Sequence, residues 1–333
     1  MRGSTGRAEG RELPGVHQYD TERAYHGYMY SPRHSLTKWL VAALFAGIFC
    51  LRALSSYQQG NPQNDFHFSL IGDRTGDAQP QIFGRVWREV DMLRPDFVVT
   101  VGDTIQGGKE DKAEAEWAEL RPLWKKYNRF PIYFTPGNHD IWSKTSEELY
   151  IKETGNKPYY SFHYQDAHFT ILDNSRTRDL SEEQLKFLED DLKANANRNP
   201  KFVVFHRPFW ITGFQEGGAD MPLHKLAKQY GVHHVISGHG HRFVRMVRDG
   251  VTYMEVGSSG GGMKGSLIRG DGFRNGCFYH HVWGRVKGGE VNFTVKELDG
   301  QFGEGRMFNA SEWDENGPKF ETSDPALNGK PQT

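Results

Sequence analysis

Acidic, amide and imidazole side chains follow five short apolar runs of this 333-residue chain. The runs end in Ile71-Gly72-Asp73, Val101-Gly102-Asp103, Pro136-Gly137-Asn138-His139-Asp140, Phe205-His206 and Ser237-Gly238-His239-Gly240-His241. Short apolar runs are typical of buried strands, and in open α/β sheets functional sites form outside the carboxyl ends of the strands. The sequence therefore predicts that these side chains meet at one edge of a sheet.

This mixture of carboxylate, amide and imidazole groups suits borderline metals such as zinc, manganese or iron. Calcium is disfavoured, because it prefers ligand shells made of oxygen alone. The set is too large for one tetrahedral ion and fits two ions that share a carboxylate. Two metals about 3.5–4 Å apart are used in proteins to activate water and to hold a phosphoryl group. A two-metal hydrolytic site is therefore the chemistry that these residues predict.

The pattern of apolar runs and amphipathic stretches predicts an α/β fold with a parallel or mixed sheet flanked by helices. Strands are expected at 66–71, 97–101, 132–134, 169–172, 202–205 and 234–236, and helices at 79–94, 111–127, 181–195 and 222–230. From about residue 243 the pattern changes to successive strands, at 243–247, 251–256, 278–286 and 291–298. We expect these later strands to form a meandering second sheet that packs on the first.

Composition excludes several classes of protein. The chain has 41 Lys and Arg residues against 42 Asp and Glu residues, a formal net charge of −1. This balance argues against binding to nucleic acid through bulk positive charge. The only cysteines are Cys50 and Cys277, so neither a disulfide scaffold nor a cysteine-rich zinc module is possible.

The N-terminal region reads as a targeting segment. Residues 1–38 are polar and are predicted to be disordered, and an apolar helix follows at 39–54 between basic residues. These features fit a secretory signal peptide, and a start at Met29 would give that signal ordinary proportions. The alternative is an uncleaved membrane anchor over 36–54, with Lys38 and Arg52 reaching the two interfaces. Both interpretations place the remaining chain outside the cytoplasm, either secreted or anchored.

Beyond the apolar helix the sequence predicts a linker at 58–65 and a catalytic domain over 66–300. The polar segment 309–333 contains proline and glycine, and we expect it to be a mobile C-terminal tail.

In order and spacing, the five motifs that follow the apolar runs resemble those of the calcineurin-like metallophosphoesterases. The resemblance covers about residues 66 to 260, and it rests above all on the Gly-Asn-His-Asp and Gly-His-Gly-His sequences. It implies a two-sheet mixed β-sandwich flanked by helices. It also implies hydrolysis of phosphate monoesters or diesters by water that two metal ions, manganese, iron or zinc, activate.

The resemblance assigns a role to each motif residue. Asp103 resembles the carboxylate that bridges the two metals. The other ligands it implies are Asn138, His206 and His239 for one metal, and Asp73 and His241 for the other. His139 resembles a residue that stabilises the transition state or protonates the leaving oxygen, and Asp140 is expected to hold its tautomer.

The chain departs from the family pattern at the first motif. The family commonly has Asp-x-His there, but this chain has Thr75 in place of the histidine. The purple acid phosphatases also lack that histidine and supply a tyrosine three residues after the bridging aspartate, where this chain has Gln106. Water, Thr75 or Gln106 is expected to complete the first metal's shell. The alternative function is a binding or scaffold protein that kept the fold and lost turnover.

Two arginines beside predicted ligands, Arg74 and Arg207, are candidate contacts of the substrate phosphate. A guanidinium binds such an anion through two parallel hydrogen bonds.

Overall fold

A computed structural model describes residues 64–263, 272–300 and 303–320 of the chain. These residues lie within one compact unit, Ser56–Thr333. The predicted leader 1–38 and the apolar segment 36–54 lie outside the described residues, as does most of the linker 58–65. Among the residues that are described, no helix combines the length and the apolar character needed to cross a membrane.

Helices lie between most of the described strands up to β7, and strands predominate after it. The helices are α1 (Pro80–Leu93), α2 (Glu110–Lys126), α3 (Lys144–Thr154), α4 (Glu182–Ala194), α5 (Phe209–Gln215) and α6 (Pro222–Gln229). The strands up to β8 are β1 (Asp65–Ile71), β2 (Phe97–Thr100), β3 (Ile132–Tyr133), β4 (Tyr160–Tyr164), β5 (Ala167–Ile171), β6 (Lys201–Val204), β7 (His234–Ser237) and β8 (Phe243–Arg248). The later strands are β9 (Val251–Val256), β10 (His280–Lys287), β11 (Glu290–Glu297), β12 (Asp299–Gly300), β13 (Gly303–Glu304), β14 (Met307–Asn309), β15 (Trp313–Asp314) and β16 (Gly317–Pro318).

Two mixed sheets of six strands each form the centre of the domain. The first has the order β14-β11-β10-β1-β2-β3, and the second has the order β4-β5-β6-β7-β9-β8. Strand β1 pairs in parallel with β2 on one side and antiparallel with β10 on the other. The mixed sheets confirm the predicted α/β class. The expected separate meander after residue 243 is wrong, because β8 and β9 extend the second sheet whereas β10 and β11 extend the first.

Alternating apolar residues on both sheets pack face to face into one core. On β1 the inward residues are Phe66, Phe68 and Leu70, and all three are buried. On the opposing sheet Phe169 and Phe202 belong to the same cluster, and their rings stack with 4.3 Å between centroids. Side chains two residues apart share a face of a strand, so this alternation makes the two sheets a sandwich.

Helices cover the two outer faces of the sandwich. Helix α1 begins with Pro80 at its first turn, where the missing N–H costs no hydrogen bond. It buries four residues at helical spacing, Phe83, Val86, Trp87 and Val90. They pack with residues of α2 and α3 against the first sheet, while α4, α5 and α6 cover the second sheet. The result is a four-layer arrangement in which helices cover both sides of the two-sheet sandwich.

The C-terminal region differs from the predicted mobile tail at 309–320, whereas the rest of that segment, 321–333, lies outside the described residues. Residues 303–320 are described, and within them β14 joins the first sheet while β15 pairs with β16. Trp313 is almost completely buried, against Phe273, Phe278 and Phe308. Proline, glycine and polar residues are common both in tails and in tight hairpins, so composition alone does not separate the two. The buried indole fixes this segment to the domain.

Candidate metal centre

The structure brings the six predicted ligand residues to one edge of the sandwich. Loops after β1, β2 and β3 of the first sheet supply Asp73, Asp103 and Asn138, and loops after β6 and β7 of the second sheet supply the histidines. Candidate ligand atoms form two groups within which all atoms lie within 4.8 Å of one another. The groups are Asp103, His206 and His239, and Asp73, Asp103 and His241. Asp103 belongs to both groups, as expected for a bridging carboxylate.

The first group is centred on Nε2 of His206. This nitrogen lies 3.1 Å from Oδ2 of Asp103, 3.2 Å from Oδ1 of Asn138 and 3.2 Å from Nδ1 of His239. The other ring nitrogen, Nδ1, lies 2.8 Å from the Val101 carbonyl, to which it donates as N–H. When the ring is neutral, that bond leaves a lone pair on Nε2 directed into the cluster, which is the usual orientation of a metal-binding histidine.

The second group is arranged in a similar way around Asp73 and His241. Nε2 of His241 is 4.0 Å from Oδ1 of Asp73, and Nδ1 of His241 contacts the Gly262 carbonyl at 2.6 Å. The carboxylate of Asp73 is buried and accepts the backbone N–H of His239 at 2.9 Å. A backbone carbonyl therefore orients this histidine as well, and the two groups are joined through Asp73 and His239.

The charges of the cluster are strongly coupled. Burial raises the pKa of Asp73, and the neighbouring Asp103 adds to that rise against the opposing effect of His206. Burial also disfavours ionisation of Asp103, but the charge of His206 and its hydrogen bond hold the Asp103 pKa at about 2. For His206, burial favours the neutral ring, yet Asp103 raises its pKa to about 9.

The residues present fit a metal centre. Two buried carboxylates that share one small space repel each other, and a divalent cation removes that repulsion when it binds between them. The carboxylate, amide and imidazole donors are those that zinc, manganese and iron accept.

Three of the ligand residues adopt an unusual backbone conformation. Asp103, His239 and His241 have φ values of 56°, 76° and 53°, in the left-handed region that non-glycine residues seldom occupy. Such strain persists where the surrounding structure enforces it, and it concentrates at functional sites. The candidate ligands themselves therefore carry this conformation.

Gly102 is required because neighbouring groups approach its Cα too closely to leave space for a side chain. A Cβ atom at Gly102, where φ is 102°, would lie 2.6 Å from Nδ1 of His206 and 2.8 Å from the backbone of Gly137. At Gly137 a Cβ atom would lie 2.2 Å from the backbone nitrogen of Asp103. The loops after β2 and β3 thus touch through their backbones, and the His206 ring from the loop after β6 packs against Gly102. These contacts bring the candidate ligands together.

The expected pairing of Asp140 with His139 is wrong. The buried carboxylate of Asp140 accepts backbone N–H groups of Thr104 at 2.8 Å, Ile105 at 3.1 Å and Gly137 at 2.9 Å. Nδ1 of His139 instead donates to the backbone carbonyl of Gln106. Adjacent residues in a turn direct their side chains apart, so Asp140 ties the loop after β2 to the loop after β3 while His139 stays at the site edge.

Thr75 and Gln106 bind each other. The Thr75 hydroxyl donates to Oε1 of Gln106 at 2.6 Å, and the Gly76 N–H approaches the same oxygen at 3.4 Å. Both residues were expected candidates to complete the first metal's shell. In the structure their polar atoms satisfy each other, and the second ligand group consists of Asp73, Asp103 and His241.

The two candidate arginines differ in their surroundings. Nη1 of Arg74 donates to the Thr104 carbonyl at 3.1 Å, and its guanidinium lies over the Phe83 ring at 5.8 Å. These contacts turn Arg74 towards the protein, so the predicted phosphate contact of Arg74 is not supported. Arg207 donates from Nη2 to the Ser175 carbonyl at 3.2 Å, and its charge contributes to the low pKa of His239, about 4, which burial chiefly causes.

Asn174 positions Arg207, and this role was not predicted from the sequence. The side-chain amide of Asn174 accepts the Arg207 N–H and donates to the Arg207 carbonyl, both at 2.9 Å. This pair of bonds fixes the residue next to the ligand His206. Asn174 comes shortly after the apolar run 169–172, the same strand-end position that identified the ligands, so a signal was present in the sequence.

Comparison with known proteins gives a consistent result. Residues 63–243, more than half of the chain, match the model of the calcineurin-like phosphoesterase family. A purple acid phosphatase from seeds of yellow lupin (Lupinus luteus) is similar, with a TM-score of 0.54 and 14% identity over 76% of this chain. This chain spans about half of that protein, 53% of its length. A dimetal phosphatase from Danio rerio has a TM-score of 0.51 and 13% identity, over 74% of this chain and 98% of its own.

At these identities the two solved structures show similarity of fold alone. Comparison with curated proteins gave no match.

Proposed function

Because the chain belongs to the calcineurin-like phosphoesterase family, we propose that it hydrolyses phosphate esters at a centre of two metal ions. The observation that carries this proposal is the position of Asp103, whose carboxylate belongs to both ligand groups. One ion would be held by Asp103, Asn138, His206 and His239, and the other by Asp73, Asp103 and His241. Manganese, iron and zinc suit this donor set.

Two metal ions in such a centre supply Lewis acidity, which favours hydroxide near neutral pH and offsets the charge that develops on the phosphoryl oxygens. The protein's own contribution is geometry. The Val101 and Gly262 carbonyls fix the rings of His206 and His241, and the backbone N–H of His139 donates to Oδ1 of Asp103 at 2.9 Å. These contacts hold the ligands in place before substrate arrives, so little reorganisation is needed during the reaction.

His139 is proposed as the residue that transfers a proton to the leaving oxygen. Its Nδ1 donates a hydrogen bond to the Gln106 carbonyl. Nε2 is therefore the ring nitrogen that can exchange a proton with the ester. Arg207, beside the ligand His206, is the arginine proposed to contact the phosphate.

The direct test is hydrolysis of p-nitrophenyl phosphate and of bis(p-nitrophenyl) phosphate by the full chain, with manganese or zinc supplied. We expect metal-dependent release of nitrophenol from at least one ester, and its loss in His206→Ala. The preferred ester would distinguish a monoesterase from a diesterase. Absence of release from both esters, with two metals bound per chain, would contradict the proposal.

The second candidate function is a binding protein that retains the fold with little turnover. The specific observation in its favour is Thr75, which occupies the position of the family's first-motif histidine and is hydrogen-bonded to Gln106. Metal content separates the candidates, since a degenerate centre would hold at most one ion per chain.

We also propose that the chain is exported, on the basis of the apolar segment 39–54 and its basic flanks. Protease treatment of intact cells that express a C-terminally tagged chain tests this: the tag should be digested without lysis. A shortened mature N-terminus would indicate a cleaved signal, and a full-length chain in the membrane fraction would indicate an anchor. A tag that stays protected until lysis would contradict export.

A further inference from the structure

A groove begins at the metal centre and extends to the C-terminal hairpin β15–β16. It has a volume of about 740 Å³, and His241 lies at its inner end. Helix α5 contributes Ile211 and Gln215 to one wall, β8 contributes Val244 to the floor, and residues 313–317 form the far wall. We call this feature the hairpin groove.

The far wall of the hairpin groove is firmly attached to the domain. Nη1 of Arg245 donates to the Trp313 carbonyl at 3.1 Å, and Nη2 of Arg248 contacts Oε2 of Glu315 at 2.6 Å. Gly317 passes so close to the backbone of Arg274 that a Cβ atom would lie 2.6 Å from its carbonyl oxygen. The groove is therefore a built surface with a fixed shape.

The hairpin groove also lies largely beyond the part of the chain that matches the family model, which ends at residue 243. The metal ligands all precede that point. Members of one superfamily share the centre and differ in substrate, so the walls that surround the centre decide which ester enters. In this chain those walls include the C-terminal hairpin.

Arg242, the residue after the ligand His241, presents a positive charge in the groove. Its Nε lies 3.4 Å from Oε2 of Glu255, a carboxylate that is fully buried, whereas 42% of the Arg242 side chain is exposed. Among the described residues, Glu255 is the only one that forms a hydrogen bond with the Arg242 side chain. A guanidinium held through Nε keeps its two Nη groups available for another anion.

Acidic groups on the opposite wall do not neutralise Arg242. Glu315 is paired with Arg248, and Oδ2 of Asp314 lies 3.8 Å from Nζ of Lys319. Arg274 adds a further positive residue to the lining. The groove thus combines exposed polar surface with a guanidinium anchored next to the metal centre.

We propose that the hairpin groove binds the organic part of a phosphate ester that carries a second anionic group, and that Arg242 holds this group. The proposal rests on the proposed function, because the phosphate of the same molecule would lie at the metal centre. The substrate class is a phosphorylated organic acid or a bisphosphate, and Arg242 is the residue that selects it.

The test compares two phosphate esters that differ only in the second anion. 6-Phosphogluconate has a carboxylate where sorbitol 6-phosphate has a neutral CH₂OH group. Calorimetry measures the affinity of the metal-loaded full chain for each compound, so the result does not depend on turnover. We expect the acid to bind about tenfold tighter or better, as a charge-assisted contact implies.

Variants locate the source of this preference. Arg242→Gln should abolish it, and Arg242→Lys, which keeps the charge, should retain part of it. Gln215→Glu leaves the contact between Arg242 and Glu255 intact and adds a negative charge to the groove wall, so it should weaken binding of the acid more than that of the alcohol. Arg285→Gln is the control, since Arg285 pairs with Asp65 at the start of β1.

Three results would overturn the proposal: equal affinity of the wild-type chain for acid and alcohol, binding of neither, or an unchanged preference in both Arg242→Gln and Gln215→Glu. Hydrolysis of p-nitrophenyl phosphate by the same preparation separates the outcomes. If it is hydrolysed and the preference is absent, the groove proposal alone fails. If it is not hydrolysed and the acid still binds tighter through Arg242, the proposed function alone fails.

Discussion

Among the described residues, Asp103 is the side chain that the two candidate ligand groups of the proposed centre share. It belongs to each ligand group, and its Oδ1 also accepts the N–H of His139. We expect Asp103→Ala to lower kcat/KM for an aryl phosphate by about 10³-fold or more, since the ions supply several kcal/mol of transition-state stabilisation. Kinetics and metal analysis of the folded variant check this. Asp111→Ala, at an exposed position of α2, is the control, and full activity in Asp103→Ala would refute the assignment.

The neighbours His139 and Asp140 should respond differently to substitution. His139→Ala removes a proton donor at the site edge, so we expect a lower kcat with an unchanged melting temperature. Asp140→Ala leaves three backbone N–H groups without their acceptor, at a cost of about 1–3 kcal/mol for each group that stays buried. It should therefore lower the free energy of unfolding as well as activity. Denaturant unfolding measures the stability of both variants. An unchanged free energy of unfolding in Asp140→Ala would contradict the role of Asp140 in joining the two loops.

The sequence identified the candidate ligands better than the residues that support them. Residue types and strand-end positions predicted that carboxylate, amide and imidazole groups meet at one edge, and the resemblance to the family singled out the six candidate ligands among them. The contacts of Asp140 with Thr104 and Ile105, and of Thr75 with Gln106, were not predictable, since these partners lie on the loop after β2, which comes close only after folding. Asn174 also follows a strand, but it is not part of a recognisable sequence motif, so its role was not predicted.

The contact between the loops after β2 and β3 at Gly102 is expected to be necessary for metal binding. Gly102→Ala should displace His206 and abolish metal binding, because its Cβ atom would lie 2.6 Å from Nδ1 of that ring. Gly108 offers a matched control: it also has a positive φ, 74°, but open space where a Cβ atom would be. Gly108→Ala should cost about 1 kcal/mol of stability and keep its metals. Metal analysis after dialysis measures both, and equal metal content would show that the contact is unimportant.

The C-terminal hairpin is expected to contribute to stability as part of the domain. Trp313→Ala removes a buried indole and should lower the free energy of unfolding by about 3–5 kcal/mol. Met307→Ala, in the same region but two-thirds exposed at 67%, should change it little. Chemical denaturation of the two variants makes the comparison. Equal, small effects would restore the prediction of a mobile tail from residue 309.

Most elements with a regular apolar pattern were predictable, and those without one were not. Helix α3 buries only Ser146 and Tyr150, so its sequence has almost no apolar periodicity. The order of the strands in the sheets could not be predicted either. For example, β10 lies beside β1, although more than 200 residues separate them in the chain. Periodicity reports which face of an element is buried, and it contains no information about the partner strand.

Across the whole molecule, the centre joins the two sheets. The first sheet provides Asp73, Asp103 and Asn138, and the second sheet provides the three histidines. Neither sheet has a complete set of candidate ligands, so the proposed centre forms only when the sandwich has assembled. The general architecture could be anticipated from the sequence because strand ends and ligand motifs coincide. The predicted export signal remains a prediction, since residues 39–54 lie outside the described part of the chain.

The most direct test of the two-metal phosphoesterase is a metal titration of the chelated full chain, with bound metal and hydrolysis of an aryl phosphate followed together. We expect no turnover without metal, and a rise in turnover that saturates when two ions are bound per chain. Full turnover in the metal-free chain, or no turnover with two ions bound, would contradict it.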